Sequence, residues 1–246
     1  MVSFAETIGL ATVSTLFPLL AGITLGYLLR GSNGSVRLPI LTAIAAGIIA
    51  WFFVDVTADS GFIGLNQGFS GGLSHILIVL LFPAGFLVLM ALDRRSQPIS
   101  PIGAVYLAAL AIGFHGLAEG IAVGSTLAPA VDTFDAIGGA AAAASFVIHK
   151  LLEAFTISVF LTNQKPLAKI FTAMLVAGVP TILGSAVGFG YSPDASFFFA
   201  LGAGAALWLL AQLIQRSMSV TNRTVWANSL LAGVLLMYLA GLLHSS

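Results

Sequence analysis

The stretch IGAVYLAALAIGFHGLAEGIAVGST, residues 102–126, decides what kind of protein this chain folds into. It is apolar along almost its whole length, and a helix of roughly 20 apolar residues crosses a bilayer core about 30 Å thick. Its central part nevertheless contains His115 and Glu119. A charged side chain at this depth is costly and rare unless it faces a partner or a cavity. The stretch therefore predicts a membrane-spanning helix that carries a polar site.

The rest of the chain has the composition of a membrane protein. Only 7% of its 246 residues are charged and 59% are hydrophobic, with a mean hydropathy of +1.06. A soluble domain has about 25% charged residues, so lipid must be the outer solvent of this chain. The few basic residues form no patch, which excludes nucleic acid as a partner. Cysteine is absent, so a metal site would have to use nitrogen and oxygen ligands.

Apolar runs between polar breaks predict an all-α polytopic membrane protein, a single transmembrane domain with eight transmembrane helices. Breaks such as RGSNGSVRLP, DRRSQPISP and NQKPLAK are rich in Gly, Pro and charge. Runs of small residues, such as GGAAAAAS at 138–145, predict faces on which helices pack closely. The spans are expected at about 5–29, 38–57, 70–92, 102–126, 137–162, 167–190, 195–215 and 224–244.

The distribution of basic residues predicts the orientation of these spans. Cytoplasmic loops are enriched in Lys and Arg, and here four basic pairs occur in or beside the odd-numbered loops. Aspartates prevail in the even-numbered loops. Both termini are therefore expected on the extracytoplasmic side. The basic pairs are Arg30 with Arg37, Arg94 with Arg95, Lys165 with Lys169, and Arg216 with Arg223.

Span five repeats the polar pattern of span four. Its sequence SFVIHKLLEAFTIS contains His149 and Glu153, again as His-x-x-x-Glu. A spacing of four places both side chains on one helical face, about 6 Å apart along the axis. Because consecutive spans are antiparallel, all four side chains are expected at a common depth near the bilayer midplane. Two imidazoles and two carboxylates suit Zn²⁺, Fe²⁺ or Mn²⁺, although each pair alone is also explained by a hydrogen bond between packed helices.

The two motifs and the span count resemble the ZIP (Zrt/Irt-like) family of divalent metal transporters, and the chain is similar to a divergent, prokaryotic-type member. The family has motifs of the type HNxPEG and HxxPEG in spans four and five. Here the matching stretches are His115-Gly-Leu-Ala-Glu119-Gly120 and His149-Lys-Leu-Leu-Glu153-Ala154. The resemblance implies metal import by alternating access, with spans one, four, five and six moving against the rest. It also implies a homodimer.

The chain departs from the family pattern at several positions. Gly116 stands in place of the family's Asn, Ala118 and Leu152 in place of its prolines, and Lys150 in place of an acid. A buried ammonium needs a partner, and Glu153 lies three residues further along the helix, close enough to pair with it. Family members with a two-metal centre use that Asn and that acid to hold the second ion, so Lys150 is expected to occupy the volume of this ion and leave a single-metal site. Alternatively, Lys150 points into a helix interface and pairs with some other acid. In a metal-free relative it would replace the ion altogether.

Other polar residues are candidates for a pathway or modulating role. Asp55, near the outer end of span two, and Asp59, one turn further out, could form an acidic ring that draws cations inward. A solvated helix end explains Asp59 equally well. His75, early in span three, is either an entrance ligand or an interfacial residue. Gln212, deep in span seven, needs a hydrogen-bond partner.

Taken together, the residues predict a non-enzymatic permease in a cell membrane, the plasma or inner membrane. Its substrate is expected to be Zn²⁺, with Fe²⁺, Mn²⁺ and Cd²⁺ as ions that the same ligands accept. A second interpretation is an intramembrane zinc-dependent hydrolase, since His and Glu also hold catalytic zinc. The metal-free relative is the third.

Overall fold

A computed structural model of the protein describes residues 1–31, 34–66, 72–95, 101–161, 166–220 and 222–243. All regular elements within these ranges are helices, and eight of them are long and apolar enough to cross a membrane. The prediction of an all-α, multi-pass membrane protein is therefore confirmed, whereas the side on which the termini lie stays a prediction. The helices are α1 (Phe4–Arg30), α2 (Gly34–Asn66), α3 (Gly72–Arg95), α4 (Pro101–Leu127), α5 (Thr133–Ala136), α6 (Gly139–Ser158), α7 (Pro166–Tyr191), α8 (Ser196–Ser217) and α9 (Arg223–Leu242).

The helix bounds differ from the expected spans mainly in α2 and α6. α2 continues to Asn66, nine residues beyond the expected end of span two at 57, because helical hydrogen bonding does not stop where apolar side chains give way to Asp55 and Asp59. α6 begins at Gly139, where Gly138 and Gly139 have φ of +84° and +78°. Glycine adopts this left-handed backbone without steric cost, and the two residues separate α6 from the one-turn helix α5.

The helices pack as two groups. α1, α4, α6 and α7 contact one another, with α4 mainly on α7 and α6 mainly on α1. α2, α3, α8 and α9 form the second group, in which α2 and α3 both pack on α8. The most extensive contact between the groups joins α4 to α8. We call these the α4 group and the α8 group.

Glycine allows the most extensive of these contacts, between α4 and α7. A Cβ added to Gly120 would collide with the carbonyl oxygen of Thr181 on α7, and one added to Gly184 would collide with the carbonyl of Leu117 on α4. Such small-residue faces bring transmembrane helices together without side chains between them. Half of the run 138–145, which the sequence marked as a packing face, is exposed; Ala142 and Ser145 are its buried members. Among the glycine contacts of the described residues, the one between α4 and α7 holds α4, and with it His115 and Glu119, in place.

The least buried spans are α3 and α9. Their outer faces carry exposed apolar side chains such as Val79, Leu80 and Leu239. In a membrane-spanning chain such faces contact the lipid bilayer. α4 is the most buried span, so its polar residues lie inside the bundle.

Candidate metal centre

The side chains of the two His-x-x-x-Glu motifs meet between α4 and α6. Each offers one donor atom, and the four atoms lie within 4.8 Å of one another. The side chains of His115 and Glu153 are 3% and 0% exposed, and those of Glu119 and His149 are 13% and 16% exposed. Because each motif occupies one helical face, each helix supplies one imidazole and one carboxylate to the cluster. The structure thus brings together the four residues that the sequence singles out as metal ligands.

Both histidines lie at the centre of their spans. His115 is the middle residue of the span Gly103–Leu127, and His149 is central in Gly139–Ser158. Titratable groups at this depth are rare unless they serve a pathway or a relay. The cluster therefore lies midway along two membrane-spanning helices.

The donor atoms are spaced as ligands around a common point. His115 Nε2 lies 3.1 Å from Glu119 Oε1 and 3.7 Å from Glu153 Oε1, and His149 Nε2 lies 2.8 Å from Glu153 Oε1. Tetrahedral zinc binds nitrogen and oxygen at about 2.0–2.2 Å, which places neighbouring ligand atoms about 3.3 Å apart. These three separations fall on both sides of this value, and the other pairs of donor atoms lie within 4.8 Å. Small side-chain movements would bring the four atoms into coordination geometry.

Several of these donor atoms lack a hydrogen bond. Within the described part of the chain, His115 Nε2, His149 Nε2 and Glu153 Oε1 are buried and make none. Buried polar groups are nearly always hydrogen-bonded in native proteins, so each exception needs an explanation. A cation at the common point would satisfy all three atoms at once.

Lys150 belongs to the same cluster. Its side chain is 1% exposed, and its Nζ lies 2.8 Å from Glu153 Oε2. The pairing with Glu153 expected from the sequence is confirmed. Nζ also forms an ion pair with Glu119 Oε2 on α4, so Lys150 contacts a second acid across a helix interface as well. Two carboxylates thus compensate one buried ammonium, and the ammonium joins α6 to α4.

Aromatic side chains of the α8 group cover the imidazoles. The ring of Phe52 on α2 is fully buried and stands edge-on to His115 and His149, with centroids 4.4 Å and 5.8 Å apart. Phe199 on α8 lies 5.6 Å from the His115 ring. Gly202 lets α8 reach the backbone of His115, since an added Cβ would lie 2.9 Å from its Cα. The α4 group therefore supplies the polar cluster and the α8 group supplies its apolar wall.

Phe52 was not among the residues predicted from the sequence, although its spacing from Asp59 held a signal. Asp59 lies seven residues further along α2, which puts it on the same helical face as Phe52 and about 10 Å toward the predicted outer end. A phenylalanine in a transmembrane helix is ordinary, so composition alone does not mark it. Only its position on the same helical face as Asp59, two turns away, could have indicated a role at the site.

Replacing Phe52 with Leu is expected to weaken metal binding by about tenfold, the lower end of what losing a group that supports metal ligands costs. The smaller side chain leaves both imidazole rings free to rotate out of the shared geometry. Isothermal titration of the purified chain with Zn²⁺ measures the change.

Phe53→Leu is the matched control for this variant. Phe53 is the next residue on α2, but its ring packs against Phe82, with centroids 6.2 Å apart. It should leave the affinity for Zn²⁺ unchanged. An equal loss in both variants would mean that Phe52 acts only through general packing.

The remaining candidates from the sequence lie outside the four-residue cluster. Asp55 and Asp59 are exposed on α2, and Asp59 is within electrostatic range of His115, Glu119 and His149. His75 is half-buried near the start of α3, where it has an interaction partner but is not one of the four clustered residues. Gln212 is half-buried on α8. Of these residues, Asp59 has the clearest link to the cluster.

No protein-family model matches the chain, and no curated protein matches it. The fold and the cluster define a class of protein: a multi-pass membrane protein whose buried His/Glu group could hold a metal ion. Membership of the ZIP family, which the two motifs and the number of spans resemble, stays a prediction.

Proposed function

We propose that this chain is a permease that carries a divalent transition-metal ion, with Zn²⁺ as the preferred substrate, across a cell membrane by alternating access. The observation that carries the proposal is the convergence of two imidazoles and two carboxylates at the centre of two spans. These groups match the nitrogen and oxygen ligands of Zn²⁺, and also accept Fe²⁺, Mn²⁺ and Cd²⁺. As in the ZIP family that the motifs resemble, import and a homodimer are part of the proposal.

The division into two helix groups supports alternating access. The group formed by α1, α4, α6 and α7 corresponds to spans one, four, five and six, which the resemblance to the ZIP family implies as the moving part. All four candidate ligands belong to this group, whereas Phe52 and Phe199 belong to the other. Movement of one group along the other would carry the ligands away from their apolar wall and change the side from which the ion is reached.

The acidic residues of α2 support an entrance on one side of the cluster. Asp55 and Asp59 are exposed, and both lie toward the predicted extracytoplasmic end of their helix. Negative charge at the mouth of a narrow pathway raises the local concentration of cations. We therefore propose that the ion passes Asp59 before it reaches Glu119 and the histidines.

The hydrolase interpretation receives less support from the same geometry. A zinc hydrolase needs a carboxylate that is free to act as a general base beside an open coordination position. Here Glu119 and Glu153 both bind Lys150 and both lie beside imidazoles. The double contact of Lys150 does favour a second candidate, the metal-free relative in which an ammonium has replaced the ion.

Uptake by the reconstituted protein tests the proposal. The full chain is placed in lipid vesicles that contain a Zn²⁺-sensitive dye, and elemental analysis gives the metal content of the purified protein. We expect about one metal ion per chain, from the one four-ligand cluster among the described residues, and uptake that saturates with the Zn²⁺ concentration. Protein-free vesicles are the control.

The outcomes separate the candidate functions. Neither bound metal nor uptake would contradict the permease and favour the metal-free relative. Bound metal without uptake, together with cleavage of peptide or ester substrates, would favour the hydrolase. Bound metal with saturable uptake supports the permease.

A further inference from the structure

The two carboxylates of the cluster divide their oxygens between two kinds of partner. Oε1 of Glu119 and Oε1 of Glu153 face the imidazoles at 3.1 Å and 2.8 Å. Oε2 of each faces the ammonium of Lys150. One oxygen of each carboxylate is thus directed at the common point, and the other is held by a cation that belongs to the protein.

This division limits the number of donors that an ion can receive. A free carboxylate can bind a metal through one oxygen or through both, and larger hard cations such as Ca²⁺ make frequent use of both. With each Oε2 engaged by Lys150, the cluster offers two nitrogens and two single oxygens. This set is complete for tetrahedral Zn²⁺ and is two ligands short for an ion that prefers six.

We propose that Lys150 is a specificity-determining residue of the metal site. Its ammonium holds each glutamate to one donor oxygen and so selects ions that accept four-coordinate geometry over ions that require six oxygen-rich ligands. This inference rests on the proposed function, because it concerns the choice of ion at the same cluster. It differs from the expectation that Lys150 merely fills the volume of a second ion, since here the ammonium acts on the ligands of the first.

The charge of Lys150 also has a general effect on cation affinity, which the test must separate from selection between ions. The two carboxylates and the ammonium leave one net negative charge when the imidazoles are neutral, so removing the ammonium strengthens the attraction for every divalent cation. That effect is common to all divalent ions. The donor count, in contrast, changes their relative affinities. The ratio of affinities for Zn²⁺ and Mn²⁺ therefore isolates the role in selection.

Lys150→Met provides the test, because methionine keeps much of the apolar stem and removes the ammonium. The affinities of the full chain for Zn²⁺ and for Mn²⁺ are measured by competition in lipid nanodiscs. We expect the Zn²⁺/Mn²⁺ ratio to fall by about tenfold or more, within the range for loss of a group that orients metal ligands. Co²⁺ should give the intense visible bands of four-coordinate cobalt in the unaltered protein and weaker bands of higher coordination in the variant.

Lys169→Met is the matched control, since Lys169 is a second buried lysine, near the start of α7 and outside the cluster. It should retain the original Zn²⁺/Mn²⁺ ratio. If Lys150→Met does not fold, X-ray absorption of the Zn²⁺-loaded unaltered protein decides the matter. Four nitrogen and oxygen donors are expected, and carboxylates that bind zinc through both oxygens would overturn the inference.

The result distinguishes this inference from the proposed function. Metal binding that depends on His115 and His149, with the same Zn²⁺/Mn²⁺ ratio in Lys150→Met, would overturn the role of Lys150 and leave the permease intact. Failure of both the unaltered protein and Lys150→Met to bind metal would overturn both. Binding by Lys150→Met alone would contradict transport by the natural chain and identify the ammonium as a permanent replacement for the ion, which also overturns its role in selection.

Discussion

Replacing both His115 and His149 with Ala is expected to abolish stoichiometric Zn²⁺ binding and to reduce uptake to that of empty vesicles. The two imidazoles supply both nitrogen donors of the cluster, and each has its Nε2 among the converging atoms. Loss of a group that only supports a ligand already costs about 10–100-fold in affinity, so loss of two ligands must exceed that range. Elemental analysis and dye-loaded vesicles measure the two effects.

His244→Ala is the control for this double variant, since it removes one imidazole from the C-terminal end of the sequence. The His244→Ala variant should bind one Zn²⁺ ion per chain and transport Zn²⁺ at the rate of the unaltered protein. If the double variant kept its metal, the ion would have to be bound elsewhere in the chain, and the cluster between α4 and α6 would be an ordinary set of buried ion pairs.

The ligand cluster was the part of the site best suited to prediction from sequence. A spacing of four fixes His and Glu on one helical face whatever the tertiary structure. The expectation that the two faces meet needed only consecutive antiparallel spans and the cost of leaving these groups in lipid. Local rules and the membrane together were therefore sufficient to bring His115, Glu119, His149 and Glu153 to one place.

The partners from more distant parts of the chain were beyond such rules. Lys150 was expected to pair with Glu153 because the two lie on one helix, but its contact with Glu119 depends on how far apart α4 and α6 stand. Phe52 reaches the imidazoles only because α2 crosses the α4 group at that level. Hydropathy does not encode either distance.

Small residues likewise did not predict which helices pack against each other. The run 138–145 has the composition of a close-packing face, yet half of it is exposed, whereas glycines line the most extensive contact, between α4 and α7. In lipid, glycine permits contact but does not choose the partner helix. The choice depends on complementary surfaces such as Gly120 against Thr181, which become visible only when both helices are placed.

Joining the two helix groups by a disulfide is expected to stop uptake. Ser145 on α6 donates its hydroxyl to the carbonyl of Ala240 on α9 at 2.8 Å, so the two residues are neighbours across the boundary between the groups, and both are buried. The chain contains no cysteine, so Ser145→Cys/Ala240→Cys introduces its only thiols. Oxidation should reduce Zn²⁺ uptake in vesicles to background while metal binding persists, because the ligands all lie within one group.

Reversal by a reductant distinguishes a disulfide that only blocks movement of the helix groups from one that disrupts the fold. Uptake should return when the disulfide is reduced, and each single cysteine variant should transport under both conditions. Mass spectrometry confirms the cross-link in the arrested sample. Suppose instead that fully cross-linked protein takes up Zn²⁺ as fast as protein whose disulfide has been reduced. The two groups would then not move along each other at α6 and α9. The ion would then pass through a fixed pathway, and the protein would be a channel with a binding site at the centre of its spans.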